Sequence, residues 1–205
     1  MNQKIEDVMR QTYRYYYEDG LVETAVGILF FVIGLALLGW LTIQSNPALG
    51  IVMVILSVLL IFGGTLFVQK VIPSLKDRLV HPRTGKVVYR QEKPRQSSRW
   101  ILYAVLAILV IALFLPERFN QMAFMEGGLL GAIFIYLGHR VSLSRFYWLG
   151  GAAILIGVAA VLLFTNDISG SAFTFGGTGL ILLVSGLIVL SRYLRRNPQA
   201  EVEDE

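Results

Sequence analysis

The chain lacks cysteine altogether and has only two histidines. Without cysteine there can be no disulfide framework, thiol nucleophile or thiolate metal site. Neither His81 nor His139 has a second ligand at the spacing used in zinc or haem sites, so we expect no metal and no cofactor. The sequence also lacks a glycine-rich phosphate loop and a Ser–His arrangement typical of hydrolases, so it offers no catalytic residue.

Charged residues are also scarce, and the apolar residues that replace them stand in long blocks. Of 205 residues, 55% are hydrophobic and 16% are charged. A helix needs about 20 apolar residues to cross a hydrocarbon layer of roughly 30 Å. A lipid-facing barrel would require strands of alternating polarity, and this pattern is absent. We therefore predict an all-α membrane protein with six transmembrane helices, over residues 24–43, 48–68, 100–115, 122–138, 146–164 and 171–190.

The basic residues predict the orientation of these helices. Seventeen of the eighteen Lys and Arg residues fall on one side of the six segments, and Arg118 falls alone on the other. Cytoplasmic loops retain Lys and Arg, so both termini are predicted to be cytoplasmic. The short loops and small size favour a bacterial plasma membrane. The basic pI of about 9.4 then reflects attraction to anionic headgroups rather than affinity for nucleic acid.

The chain divides into five predicted parts. Residues 1–20 show apolar positions at helical spacing and end in Tyr15-Tyr16-Tyr17, which predicts an amphipathic helix in the membrane interface. Alternatively, these tyrosines line a ligand site or are phosphorylated. The remaining parts are transmembrane helices 1 and 2 (21–68), a basic cytoplasmic loop (69–99), transmembrane helices 3 to 6 (100–193) and a disordered cytoplasmic tail (194–205).

The loop over 69–99 carries nine of the seventeen basic residues on the cytoplasmic side. Within it, residues 78–81 and 86–89 flank Pro82-Arg83-Thr84-Gly85, and this turn chemistry predicts a small β-hairpin. An isolated hairpin is marginal in water, so it needs support from the N-terminal helix, a partner or the headgroups. The residues we expect to bind a protein partner or anionic lipid are Arg83, Lys86 and Arg90, with His81 and Tyr89 beside them.

The segment His81-Pro82-Arg83-Thr84-Gly85-Lys86-Val87-Val88-Tyr89, together with Asp19-Gly20-Leu21, resembles uncharacterised multi-pass bacterial integral membrane proteins that carry a cytoplasmic Pro-Arg-Thr-Gly loop. The resemblance covers about ten residues, those three and the general topology. It implies that the loop is a characteristic feature of such proteins, and it implies no activity.

Four of the carboxylates near or within the predicted membrane segments are candidate site residues. Glu18, Asp19 and Glu23 form an acidic cluster at the start of the first spanning helix, where they either cap that helix or pair with the basic loop on the same face. Glu126 lies about one turn into the fourth spanning segment. It is either an intramembrane polar site for a solute or proton, or a cap in the outer interface.

Glycines are frequent in the last three segments, and this predicts close helix packing more than helix breaks around a substrate. Residues 123–128 also parallel 172–177, and Leu143-Ser144-Arg145-Phe146 parallels Leu190-Ser191-Arg192-Tyr193. These matches predict a duplicated two-helix unit of parallel orientation. Because Phe175 stands where the first copy has Glu126, a duplicated ion site is not expected.

Three functional classes follow. The leading hypothesis is a non-enzymatic binding or regulatory membrane protein whose basic loop engages a protein partner or anionic lipid. The alternative is a small transporter or channel subunit that uses Glu126, and homo-oligomers are compatible with either class. The third is a lipid-acting membrane enzyme, for which only Glu18, Asp19, Glu23 and His81 could supply acids and a base near one interface.

Overall fold

The computed structural model describes residues 16–43, 63–64, 66, 70–78 and 122–198. Four long helices account for most of these residues: α1 (Leu21–Ile43), α2 (Met122–Val141), α3 (Ser144–Leu163) and α4 (Asp167–Arg196). Residues 70–78 are also helical, and no strand occurs within the described ranges. Apart from residues 63, 64 and 66, the predicted second and third spanning helices lie outside these ranges, and so does the predicted hairpin after Arg78.

All four helices are long and apolar enough to cross a membrane. Large apolar side chains point away from the described bundle, among them Trp148 (82% exposed), Leu155 and Leu163. A water-soluble protein would bury most of such a surface, whereas hydrocarbon solvates it without cost. The fold therefore indicates a helical membrane protein.

Helices α1 and α4 are antiparallel and pack with their backbones in close contact. A Cβ atom added at Gly27 would lie 2.5 Å from the Leu183 amide nitrogen, and one at Gly34 would lie 2.5 Å from the Gly176 amide nitrogen. Farther along the same seam, a Cβ at Gly186 would lie 2.5 Å from the Thr24 hydroxyl. Small residues at seven-residue intervals thus let the two helices approach more closely than any side chain would allow.

Helices α2 and α3 form a second antiparallel pair of the same kind. A Cβ at Gly127 would lie 2.6 Å from the Gly157 Cα, and one at Gly150 would lie 2.8 Å from the Gly131 carbonyl oxygen. The glycines of α2 and α3 therefore allow close helix packing, as the sequence predicts. The sequence did not predict which helices would be partners.

The two pairs meet at a shared apolar core. Leu130 and Phe134 of α2, Leu149 and Ala153 of α3, and Leu182 of α4 are buried together there. Phe30 of α1 and Phe175 of α4 pack edge to face beside this core, with ring centroids 5.7 Å apart. The core holds α2–α3 against α1–α4 and so fixes how the helix ends are arranged.

The helix boundaries extend beyond the predicted spans at several ends. α1 begins three residues before the predicted span, α2 continues to Val141, and α4 runs from Asp167 to Arg196. The Asn166 side chain caps α4 by accepting a hydrogen bond from the Ile168 amide at 2.9 Å. Arg78, the first residue of the predicted hairpin, is helical rather than extended. Residues 194–196, the first of the predicted disordered tail, are helical as well.

Candidate functional site: a buried ionic cluster

The chain enters α1 through a sharp bend that depends on glycine. Gly20 has φ +74°, a backbone conformation that favours glycine, and a Cβ there would lie 2.6 Å from the Gly186 carbonyl oxygen. The Asp19 carboxylate accepts a hydrogen bond from the Leu21 amide at 3.0 Å, which caps the first turn. This bend brings Tyr16 and Tyr17 back against the end of the bundle.

Asp19 also forms a buried ion pair with Lys76, which lies in the helical segment 70–78. The Lys76 Nζ is 2.8 Å from the Asp19 Oδ2, and the two side chains are 7% and 2% exposed. The same ammonium donates to the Tyr16 carbonyl oxygen and stands 3.8 Å from the centre of the Tyr16 ring. Burial lowers the pKa of Lys76, and the nearby Asp19 carboxylate opposes that shift.

A second ion pair joins α1 to the start of α3. The Arg145 Nε is 2.8 Å from the Glu23 Oε1, and the Glu23 side chain is 2% exposed. Arg145 also donates to the Tyr17 carbonyl oxygen through its guanidinium, while Ser185 of α4 donates a hydrogen bond of 3.4 Å to the Glu23 Oε2. The two ion pairs therefore connect residues 16–20 to the segment 70–78 and α1 to α3, and the Ser185 hydrogen bond adds α4.

Aromatic rings cover this cluster. Tyr16 and Tyr17 pack edge to face with centroids 5.3 Å apart, and Tyr17 packs against Phe146 at 5.8 Å. Burial raises the pKa of the Tyr16 hydroxyl, and Tyr17 and Asp19 raise it further. We call Asp19, Glu23, Lys76 and Arg145 the ionic cluster. Its two negative and two positive charges balance, and its ion pairs hold the adjoining segments together.

The three acidic residues of the predicted N-terminal cluster thus have different surroundings. Asp19 both caps α1 and pairs with Lys76, so it combines the two arrangements that the sequence left open. Glu23 pairs with Arg145 instead of a residue in the basic loop. Glu18 lines a cleft beside the end of α4.

Glu126 lies near the opposite end of the bundle and connects α2 to α4. Its Oε1 accepts a hydrogen bond of 3.0 Å from the Ser171 hydroxyl. Its Oε2 is buried and has no hydrogen-bond partner among the residues described. The carboxylate is therefore half satisfied and sits between two helices.

The residues selected in the basic loop, His81, Arg83, Lys86, Tyr89 and Arg90, lie outside the described residues. The sequence identifies Lys76 and Arg145 as basic residues on the predicted cytoplasmic side, but it does not identify them as site residues. The signal that pointed to them was weak: acids at the start of a spanning helix need cations on the same side of the membrane. Within the described ranges, no group of three His, Asp or Glu side chains could hold a metal ion.

Comparison with known proteins gives no further assignment. Neither a protein-family model, nor a curated protein, nor a solved structure matches this chain. Its class, a helical membrane protein with a buried ionic cluster at one end, therefore rests on its own sequence and structure.

Proposed function

We propose that this chain is a six-helix bacterial plasma-membrane protein with both termini in the cytoplasm. In this proposal it has no enzymatic activity and acts as a membrane-embedded binding or regulatory protein. Its basic loop over 69–99 engages a cytoplasmic protein partner or anionic lipid. The observation that carries the proposal is the buried pair between Asp19 and Lys76, because it anchors the beginning of that loop to the bundle.

Anchoring matters because a binding loop loses conformational entropy when it engages a partner. A loop whose first residues are already held loses less, so more of its interaction energy is available for binding. Lys76 lies in the helical segment 70–78, at the beginning of the loop. The ion pair therefore holds the first part of the loop, around Lys76, against residues 16–20.

The charge of the loop supports the same function. Orienting a pair of helices requires only a few basic residues, whereas this loop contains nine. Each basic residue near an anionic membrane surface contributes about 1 kcal/mol to association. A loop with this surplus suits a partner that carries negative charge.

The direct test is to replace Arg83, Lys86 and Arg90 with alanine in the full-length protein. Binding of nanodisc-embedded protein to vesicles containing phosphatidylglycerol, and recovery of a crosslinked protein partner, are measured in parallel. We expect at least one of the two to fall about tenfold or more, since three cations are lost.

The matched control replaces Lys4, Arg10 and Arg14 with alanine, because it removes the same charge from the same predicted side. Binding should remain within about twofold in that variant. If the loop variant retains both vesicle binding and partner recovery, the proposed role of the loop is wrong. If the control loses binding equally, total charge rather than the loop determines it.

The second candidate is a small transporter or channel subunit that uses Glu126. The observation in its favour is the buried Oε2 of Glu126, which has no hydrogen-bond partner among the described residues. It predicts proton or cation flux in proteoliposomes that falls at least about tenfold with Glu126→Gln, and that persists with Asp167→Asn. Flux that is absent, or that is equal in both variants, counts against this candidate.

A lipid-acting enzyme remains the third candidate, and the structure favours it least. Two of the three acids that it would use, Asp19 and Glu23, are engaged in the ionic cluster.

A further inference from the structure

A basic cleft opens at the same end of the bundle as the ionic cluster. It lies between the last turns of α4 and the start of α3 and has a volume of about 440 Å³. Three arginines and one acid contribute its charges. The residues that line it are Glu18, Leu143, Arg145, Val189, Arg192, Tyr193, Arg196 and Asn197.

The arginines of this cleft differ in how they are engaged. Arg145 is paired with Glu23, whereas Arg192 and Arg196 form no ion pair with any acid among the described residues. Arg192 and Arg196 are four residues apart, so they lie one above the other on one face of α4. Their guanidinium groups present several N–H donors toward the same space, a geometry that suits phosphate oxygens.

The position of the cleft relative to the membrane points to a lipid as the source of the phosphate. α4 has 30 residues and a length of about 45 Å, which exceeds the roughly 30 Å of hydrocarbon that it would cross. Its last turns therefore extend into the headgroup layer. Tyr147 and Trp148, near the start of α3, are 44% and 82% exposed, and amphipathic rings of this kind mark the membrane interface.

The sequence repeat brings two equivalent arginines to this site. Arg145 and Arg192 occupy the same position in Leu143-Ser144-Arg145-Phe146 and Leu190-Ser191-Arg192-Tyr193. In the fold both line one cleft, although they belong to different helices. Only one of them is needed for the ion pair with Glu23, which leaves Arg192 available for a ligand.

We propose that this cleft binds the phosphate group of an anionic phospholipid, with Arg192 and Arg196 as the phosphate-binding residues. Glu18, which also lines the cleft, offers an acceptor for a hydroxyl or ammonium group of the same headgroup. This proposal requires that the end of the bundle that carries the cleft lies in the headgroup layer. It does not depend on the basic loop binding a partner.

Native mass spectrometry of the full-length protein, titrated in detergent with phosphatidylglycerol or phosphatidylcholine, tests this proposal. The variants are Arg192→Gln and Arg196→Gln, and the matched control is Arg195→Gln. Arg195 carries the same charge in the same helical turn but does not line the cleft. Thermal unfolding of each variant confirms that the fold is unchanged.

We expect the affinity for the first phosphatidylglycerol to fall about fivefold in each cleft variant and to remain unchanged in the control. Phosphatidylcholine should bind weakly and equally to all of them. Replacement of Arg83, Lys86 and Arg90 should leave the first lipid bound, which separates this site from the function proposed for the loop.

Three outcomes would overturn the proposal. Equal losses in Arg195→Gln and the cleft variants would mean that only general surface charge attracts the lipid. Unchanged affinity in both cleft variants would mean that the first lipid binds elsewhere. Displacement of the lipid by soluble glycerol phosphate at a comparable concentration would identify a soluble phosphate ester as the ligand instead.

Discussion

Arg145 joins three segments of the chain: residues 16–20, α1 and its own helix α3. It pairs with Glu23 of α1, donates to the Tyr17 carbonyl oxygen and lies near the Phe146 ring, with Cζ 5.5 Å from the ring centroid. Its side chain is 22% exposed, whereas that of Glu23 is almost completely buried. Loss of the arginine would therefore leave a buried carboxylate without its counter-charge.

We predict that Arg145→Gln lowers the free energy of unfolding by about 3 kcal/mol, because breaking a buried ion pair costs more than forming it contributes. Denaturant unfolding in detergent micelles measures the change. The double variant Glu23→Gln with Arg145→Gln should recover part of that loss, since it removes both charges together.

Arg195→Gln is the control for this residue-scale prediction, because it removes a charge at an exposed position of α4. It should change the free energy of unfolding by no more than about 0.5 kcal/mol. If Arg145→Gln has an equally small effect, Glu23 and Arg145 do not form a stabilising pair.

At the scale of elements, the two helix pairs use the same device. Ala123 and Gly127 of α2 admit Gly157 of α3, and the repeat-equivalent Ala172 and Gly176 of α4 admit Gly34 of α1. The duplicated motif therefore encodes a seam for a close antiparallel neighbour. α2 pairs with the helix that follows it, whereas α4 pairs with α1 at the far end of the sequence.

We predict that Gly27→Ala destabilises the bundle by about 1–3 kcal/mol, because the new methyl group would meet the α4 backbone, which cannot move aside as a side chain can. Thermal unfolding in a defined detergent measures this loss. Gly151→Ala is the matched control, since an added Cβ there meets no atom of the described residues within 4 Å.

Gly151→Ala should leave stability unchanged or raise it slightly, because alanine favours helix over glycine. A similar destabilisation by both substitutions would show that glycine flexibility, not the close approach of α1 and α4, is what stability requires.

At the scale of the whole molecule, the proposed six-helix topology predicts the side on which each connection lies. The chain contains no cysteine, so a single introduced cysteine is the only site for a maleimide reagent. We expect Ser45→Cys and Thr165→Cys to react with an impermeant maleimide added to intact cells. Ser97→Cys and Pro198→Cys should react only after the membrane is permeabilised.

Ser45 and Ser97 distinguish six spans from four. If the two predicted helices over 48–68 and 100–115 both cross the membrane, these cysteines lie on opposite sides. Labelling of both from the same side would show that the number of spans is wrong, while Thr165 and Pro198 would still report the orientation of α4.

Much of the fold could be predicted from residue type and spacing. The four described helices coincide with predicted spans because runs of apolar residues are long enough to cross hydrocarbon and leave no other way to satisfy backbone hydrogen bonds. Helix ends such as Arg196 were predicted less well, since polarity marks the edge of the membrane and not the end of a helix. Asp19 was selected, but its partner Lys76, 57 positions away in the sequence, was not.

The sequence by itself determined the membrane-protein class, the extent of the apolar segments and the positions of the basic residues between them, because each depends on local composition. Only the tertiary structure decided that α1 pairs with α4, that Lys76 and Arg145 meet Asp19 and Glu23, and that Arg145, Arg192 and Arg196 line one cleft. These contacts join residues that are distant along the chain. They depend on which backbones approach closely enough to touch, a property of facing helix surfaces that no single segment contains.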